Sequence, residues 1–248
     1  MQIEHADLSL LGSREENQDR VAIAVDEDAA FIAVVDGMGG HADGARAAEV
    51  AIRTMVSEFW EASRPLFDPD GFLHLTIGRA HEAVVAIGTE LPPEIRPRAT
   101  CAVCIIQGSS AYWAHVGDSR VYLLRDGRVV ERTRDHSHVE LLLRAGRITE
   151  RQAHDHPMRN YVECCIGGDP AIPEMSLGGR RNLRAGDVLL LCSDGLWSGV
   201  TDAQIAALGQ NPARGLRYDL AGLGERAVQT TAPFADNTTA AAVRWLGP

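Results

Sequence analysis

Four aspartates, Asp36, Asp118, Asp194 and Asp236, stand beside apolar runs and next to glycine or asparagine, in FIAVVDGMGG, VGDSR, LLLCSDG and ADNTT. A carboxylate that leaves the core where a strand ends can bind a hard cation, and magnesium or manganese takes such oxygens together with water. A closed zinc site would ask for more cysteine or histidine. Arg14, in GSREENQD, adds a guanidinium fork that matches two oxygens of a phosphate-like anion, and Asp19 in the same stretch is an acid for the outer shell. One acid at a turn is ordinarily a solvated turn residue. Four of them with a phosphate-capable arginine favour a shared oxygen cluster over four independent turns.

For the cluster to exist, the fold must carry these distant segments to one place. FIAVV (31–35) has the composition of a buried strand, from whose end Asp36 emerges, and Gly37, Gly39, Gly40 and Gly44 permit a tight loop and close approach of a ligand. Ile52, Met55, Val56 and Phe59 then recur at helix spacing, and Leu73, Ile77, Ala80, Val84 and Ile87 predict a second helix before Pro92-Pro93. Strands are expected to Leu11 and over 101–107, 111–116, 121–124 and 128–132, with Asp126-Gly127 as a hairpin turn. Asp118 falls on the connection between two of them. The segment 136–157 reads as two short helices in a surface insertion; the run before Cys192 and the segment AAAVRW read as strands. Asp202 is placed as a helix cap, and 212–230 as a longer helix. Adjacent short strands point to antiparallel sheet, and no linker or repeat divides 1–248 into two domains.

Composition narrows the function. Asp and Glu number 34 against 24 Lys and Arg, a formal charge of −10, which disfavours a broad nucleic-acid footprint but not one phosphorylated group held by local cations. No apolar run is long enough to span a bilayer and no secretory leader is evident, so a cytoplasmic protein without membrane attachment is expected. The five cysteines, Cys101, Cys104, Cys164, Cys165 and Cys192, are read as reduced, and the vicinal pair has no role that spacing supports. His115, His136, His138, His154 and His156 lack tetrahedral ligand spacing and are read as surface or hydrogen-bonding residues.

Taken together and in order, Arg14 with Asn17-Gln18-Asp19, the run from Asp36 to His41, Gly117-Asp118-Ser119-Arg120, Asp135-His136-Ser137, His156 to Asn160, Ser193-Asp194-Gly195 and Asp236-Asn237-Thr238 resemble the bacterial PPM, or type 2C, serine/threonine protein phosphatases. The resemblance covers essentially the whole chain. It implies an α+β fold, a four-layer α-β-β-α sandwich with two central antiparallel sheets and helices on the outer faces. It also implies metal-dependent hydrolysis of phosphoserine and phosphothreonine in proteins by direct attack of water activated at two Mn2+ or Mg2+ ions, with a weaker third ion. On this resemblance Asp36 bridges the ions, the Gly37 carbonyl joins one, Asp194 and Asp236 bind the other, Asp118 with Asp194 holds the third, Asp19 acts through water, and Arg14 binds the phosphate. The family often has Glu at the position of Gln18, and its eukaryotic members have His at the position of Met38. Gln18 and His41 are accordingly placed in supporting roles. The implied partner is a phosphoprotein made by a bacterial serine/threonine kinase. An inactive phosphopeptide-binding domain and a dinuclear phosphodiesterase are the competing readings.

Overall fold

The computed structural model describes residues 1–38, 42–154, 156–211 and 214–247. Among them the strands, in chain order, are β1 (Gln2–Leu10), β2 (Asp19–Val25), β3 (Ala29–Met38), β4 (Arg98–Gln107), β5 (Ser110–Val116), β6 (Arg120–Arg125), β7 (Arg128–Arg132), β8 (Ile166–Gly167), β9 (Ser176–Leu177), β10 (Arg181–Asn182), β11 (Val188–Cys192) and β12 (Thr238–Gly247). They form two sheets. One runs β1-β12-β11-β6-β7; the other runs β10-β5-β4-β3-β2, with β8 added to β4 and β9 to β5. The pairings are antiparallel, as the short connections between consecutive strands permit.

The helices divide between the two outer faces. Helices α1 (Ala42–Glu61) and α2 (Pro69–Ile87) cover the seven-stranded sheet, while α3 (His138–Arg144) and α4 (Glu150–His154) lie in the insertion before β8. On the other side α5 (Asp194–Trp197), α6 (Asp202–Ala206) and α7 (Leu216–Thr231) cover the five-stranded sheet. Three apolar layers result: one under α1 and α2, one under α5 to α7, and one between the sheets built from Ile32, Cys104, Trp113, Leu189 and Val243. β3 therefore reads as an unbroken apolar run because both of its faces are covered. Phe31 of β3 stacks on Phe59 of α1 with ring centroids 5.6 Å apart, which holds the helix over the strand that carries Asp36; that strand continues to Met38 rather than ending at Val35.

The expected helix over 212–230 begins at Leu216; residues 212 and 213 lie outside the described part. The α6 cap is Thr201, with Asp202 in the first turn. The Thr201 hydroxyl accepts from Gln204 N, and the Gln204 side chain accepts from Thr201 N. That reciprocal pair satisfies two donors at once, which Asp202 as cap could not have done with Ile205 three residues on.

The chain ends meet in the first sheet. β1 pairs with β12 from Gln2 opposite Gly247 to Leu10 opposite Thr238. This register carries the loop after β1, with Arg14, to the loop before β12, with Asp236.

Candidate metal and phosphate site

Each acid occupies the end of an element whose interior is apolar. Asp19 opens β2 and pairs with Asp36 near the end of β3, and Asp36 in turn faces Thr100 of β4. Asp118 lies between β5 and β6, Asp194 is the first residue of α5 directly after β11, and Asp236 lies two residues before β12. Asp36 feels the charge of each of the other four, and Asp194 acts on Asp19 and Asp118 as well, so the two sheets bring their loops to one common edge of the sandwich.

That crowding makes ionisation of the acids unfavourable. Burial, followed by Asp19, Asp194, Asp118 and Asp236, pushes the Asp36 carboxyl well above the usual range. Asp118 is raised well above it by burial and then by Asp194 and Asp135. Burial raises Asp19 to about 7, against the hydrogen bonds from Ser193 and Thr239 that favour its charged form. Asp194 rises to about 6, through burial and then Asp236. Such a group of acids is a concentrated negative charge that a cation would relieve.

Arg14 supplies one positive charge at the rim. Its Nη2 donates to Asp236 Oδ2 at 2.6 Å, with the arginine side chain 59% exposed. Asp236, Asp194 and Asp36 all favour its charged form. The other guanidinium N–H groups have no partner among the described residues and remain available to an anion's oxygens.

A buried layer fixes these acids. Ser193 Oγ donates to Asp19 Oδ2 at 2.7 Å and accepts from Thr239 N at 3.1 Å, tying the end of β11 to β2 and β12. Asn237 Nδ2 donates to Leu11 O and Glu16 O, while its Oδ1 accepts from Gln18 N, so one side chain pins both ends of the Arg14 loop. Trp197 Nε1 donates to Asp118 O at 3.0 Å. The Trp197 ring lies under Arg120, whose Nε and Nη2 form a two-pronged pair with Asp135 at 2.8 and 2.7 Å. Sequence reading included Asn237, Ser193 and Asp135 in motifs without finding these roles. Trp197, three residues after Asp194, was missed.

The residues present fit a hard cation. Five carboxylates offer oxygen only. A Cβ built at Gly37 would stand 2.1 Å from Gly44 O and 2.8 Å from Gln18 O, so this position has room for backbone alone. Among the described residues no three of the acids are grouped so as to hold one ion by themselves; magnesium ordinarily takes one or two carboxylates and keeps several waters. Gly39, Gly40 and His41 lie outside the described residues. Gln18 packs its Oε1 toward Gly44 beside Asp36. His115 and His136 lie ring against ring at 4.6 Å; His115 Nε2 donates to Arg134 O at 2.7 Å, and His136 Nδ1 accepts from the N–H of Gly117, the neighbour of Asp118, at 3.3 Å.

The sequence profile described as Protein phosphatase 2C matches residues 9–220. Among curated relatives, the serine/threonine protein phosphatase PstP of Mycobacterium tuberculosis is 35% identical over 200 residues, which is 80% of this chain and 37% of that protein. The chain thus spans little more than a third of that relative. A Streptococcus agalactiae serine/threonine phosphatase has a similar structure, with a TM-score of 0.89, 29% identity, and coverage of 98% of this chain and 99% of the other. The catalytic domain of PstP in complex with two manganese ions superposes with a TM-score of 0.80, at 30% identity and 98% coverage of both chains. With its two antiparallel sheets, outer helices and acidic edge, the chain belongs to the protein phosphatase 2C family.

Proposed function

We propose that residues 1–248 form a single catalytic domain that hydrolyses phosphoserine and phosphothreonine in proteins. The observation that carries this reading is the convergence of Asp19, Asp36, Asp118, Asp194 and Asp236 beside the exposed guanidinium of Arg14. Two manganese ions bound to the PstP catalytic domain support the same reading.

In this proposal Asp36 would hold two Mn2+ or Mg2+ ions jointly, with the Gly37 carbonyl on one and Asp194 and Asp236 on the other. Asp118 with Asp194 would hold a weaker third, and Asp19 would act through water. Such ions, when bound, lower the pKa of water and offset charge on phosphate oxygens. Arg14 orients the phosphate by paired hydrogen bonds, so that phosphorus is presented to solvent on the acidic side. Ser193 holds Asp19 in place and favours its charged form against burial, and the Asn237 contacts hold the Arg14 loop beside Asp236. Water attacks phosphorus and the serine or threonine oxygen leaves, with no covalent enzyme intermediate. Met38 has no proton to give, so solvent serves the leaving oxygen, and His41 is assigned a supporting place in the loop.

The substrate is proposed to be a phosphoprotein made by a bacterial serine/threonine kinase, in a cytoplasmic signalling exchange without nucleic acid or membrane. No helix among the described residues is long and apolar enough to cross a membrane, and the charge of −10 disfavours nucleic acid. Phosphate release from phosphoserine and phosphothreonine peptides, measured with manganese and again after EDTA, tests the proposal. Metal-stimulated release supports it. Peptide binding without release would instead indicate an inactive domain, and preference for a cyclic dinucleotide would indicate a phosphodiesterase.

A further inference from the structure

A cavity of about 610 Å3 lies outside the acidic site, between β2 and α1, lined by Arg20, Ala22, Ile52, Arg53, Val56 and Trp60 among others. β2 is the free edge of the seven-stranded sheet. Gly37 N–H donates to Gln18 O and Asp26 N–H to Ala29 O, in a register that sets Arg20 opposite Val35 and Ala22 opposite Ala33. Alternation then turns the N–H and C=O groups of Arg20, Ala22 and Ala24 toward β3 and those of Val21 and Ile23 off the edge, where no described strand meets them. An exposed edge with unused donors and acceptors is a template for an added strand. Beside it Trp60 is 49% exposed, held edge-on to Phe59 and below Arg64. Arg53 is exposed with no ion-pair or hydrogen-bond partner among the described residues.

The groove is continuous with the catalytic edge. β2 starts at Asp19, and Arg20 bonds the Asp19 and Asn17 carbonyls and Glu49 in the first half of α1. From there Arg53 and then Trp60 follow along the helix. Glu49 to Trp60 spans about 16 Å of helix, or roughly five residues of extended chain.

Building on the phosphatase reading, we propose that this groove takes an extended stretch of the phosphoprotein substrate itself, flanking the phosphorylated residue. The stretch adds to β2 through the backbone of Val21 and Ile23. It sets an acidic side chain against Arg53 and a large apolar one on Trp60, two or four residues apart, because only alternate residues of an extended strand share the face turned to α1.

The test compares phosphoserine peptides: a short one, and two extended by about eight residues toward either terminus with Glu and Leu at those spacings. One extended peptide is expected to gain about tenfold in kcat/KM through KM. R53E and W60A should each remove most of that gain while leaving turnover of the short peptide and of p-nitrophenyl phosphate unchanged. N-methylation at alternate residues of the extension should remove it as well. R53E touches no described partner, so it guards against a folding defect in W60A. Anisotropy of the labelled extended peptide without its phosphate, read in EDTA, reports the groove apart from catalysis; failure of phosphate release from every peptide would count against the phosphatase reading only. Absence of gain in both directions, equal effects of the variants on short and long peptides, or a concentration-dependent dimer closing the groove would overturn the proposal.

Discussion

Asp19 and Asp36 lie directly opposite each other across β2 and β3, and neither has a basic side chain as a direct partner among the described residues. A carboxyl whose folded pKa is raised binds more protons folded than unfolded, so its contribution to stability falls as pH rises. With Asp19 at about 7 and Asp194 at about 6, against an ordinary 3.8, the chelated protein should lose stability from about pH 4 through 7. Buried His115 works in the opposite sense. Burial, then neighbouring His136, lowers its pKa from 6.5 to about 4, so its contribution is full above 6.5 and is lost as pH falls toward 4. Because His115 is common to both conditions, the difference between melting temperatures in manganese and in EDTA isolates the acids. That difference should grow between pH 4 and 7; a flat difference contradicts the cluster.

Asp36→Asn removes the carboxylate at the centre of the repulsion. Metal-stimulated phosphate release should fall by at least about a hundredfold, with weaker manganese binding by calorimetry. In EDTA the variant should melt higher than the parent, since a neutral amide has no proton to take up on folding in this acidic, buried site.

Arg14→Ala takes away the rim cation and leaves Asp236 without its 2.6 Å partner. Steady-state kinetics on a phosphopeptide should show KM raised about ten- to a hundredfold, the range for a lost charge-assisted hydrogen bond. Manganese affinity should be held or slightly increased. Unchanged turnover and unchanged phosphate binding would remove Arg14 from the phosphate role.

Gly37→Ala forces a methyl group to within 2.1 Å of the Gly44 carbonyl and should cost about 1–3 kcal/mol together with activity. Gly78→Ala, inside α2 with open space around it, should instead stabilise by up to about 1 kcal/mol and leave activity alone. Thermal melts and phosphate release on the two variants read both effects.

The acids of the edge were legible in sequence because Asp36, Asp118 and Asp194 each follow an apolar run, although β3 continues through Asp36 to Met38. The sheets were legible for the same reason, since β3, β4 and β11 are nearly continuous apolar runs. What holds the acids in place was not, because it depends on partners far apart in sequence. Nothing near Ser193 says that its hydroxyl reaches Asp19, and nothing near Asn237 says that it binds Leu11 and Glu16. The two-residue strands β8 to β10 carry too little pattern to be read before the sheet that recruits them is known. The α6 cap was misplaced by one residue because Asp202 and Thr201 are both good caps, and only the Gln204 contact separates them.

The most direct measurement is an anomalous difference map from crystals grown with saturating manganese. Two peaks are expected that share the Asp36 carboxylate, with Asp194 and Asp236 on one of them. Well-ordered loops with no manganese between them, or ions scattered on separate acids, would contradict a common cation centre.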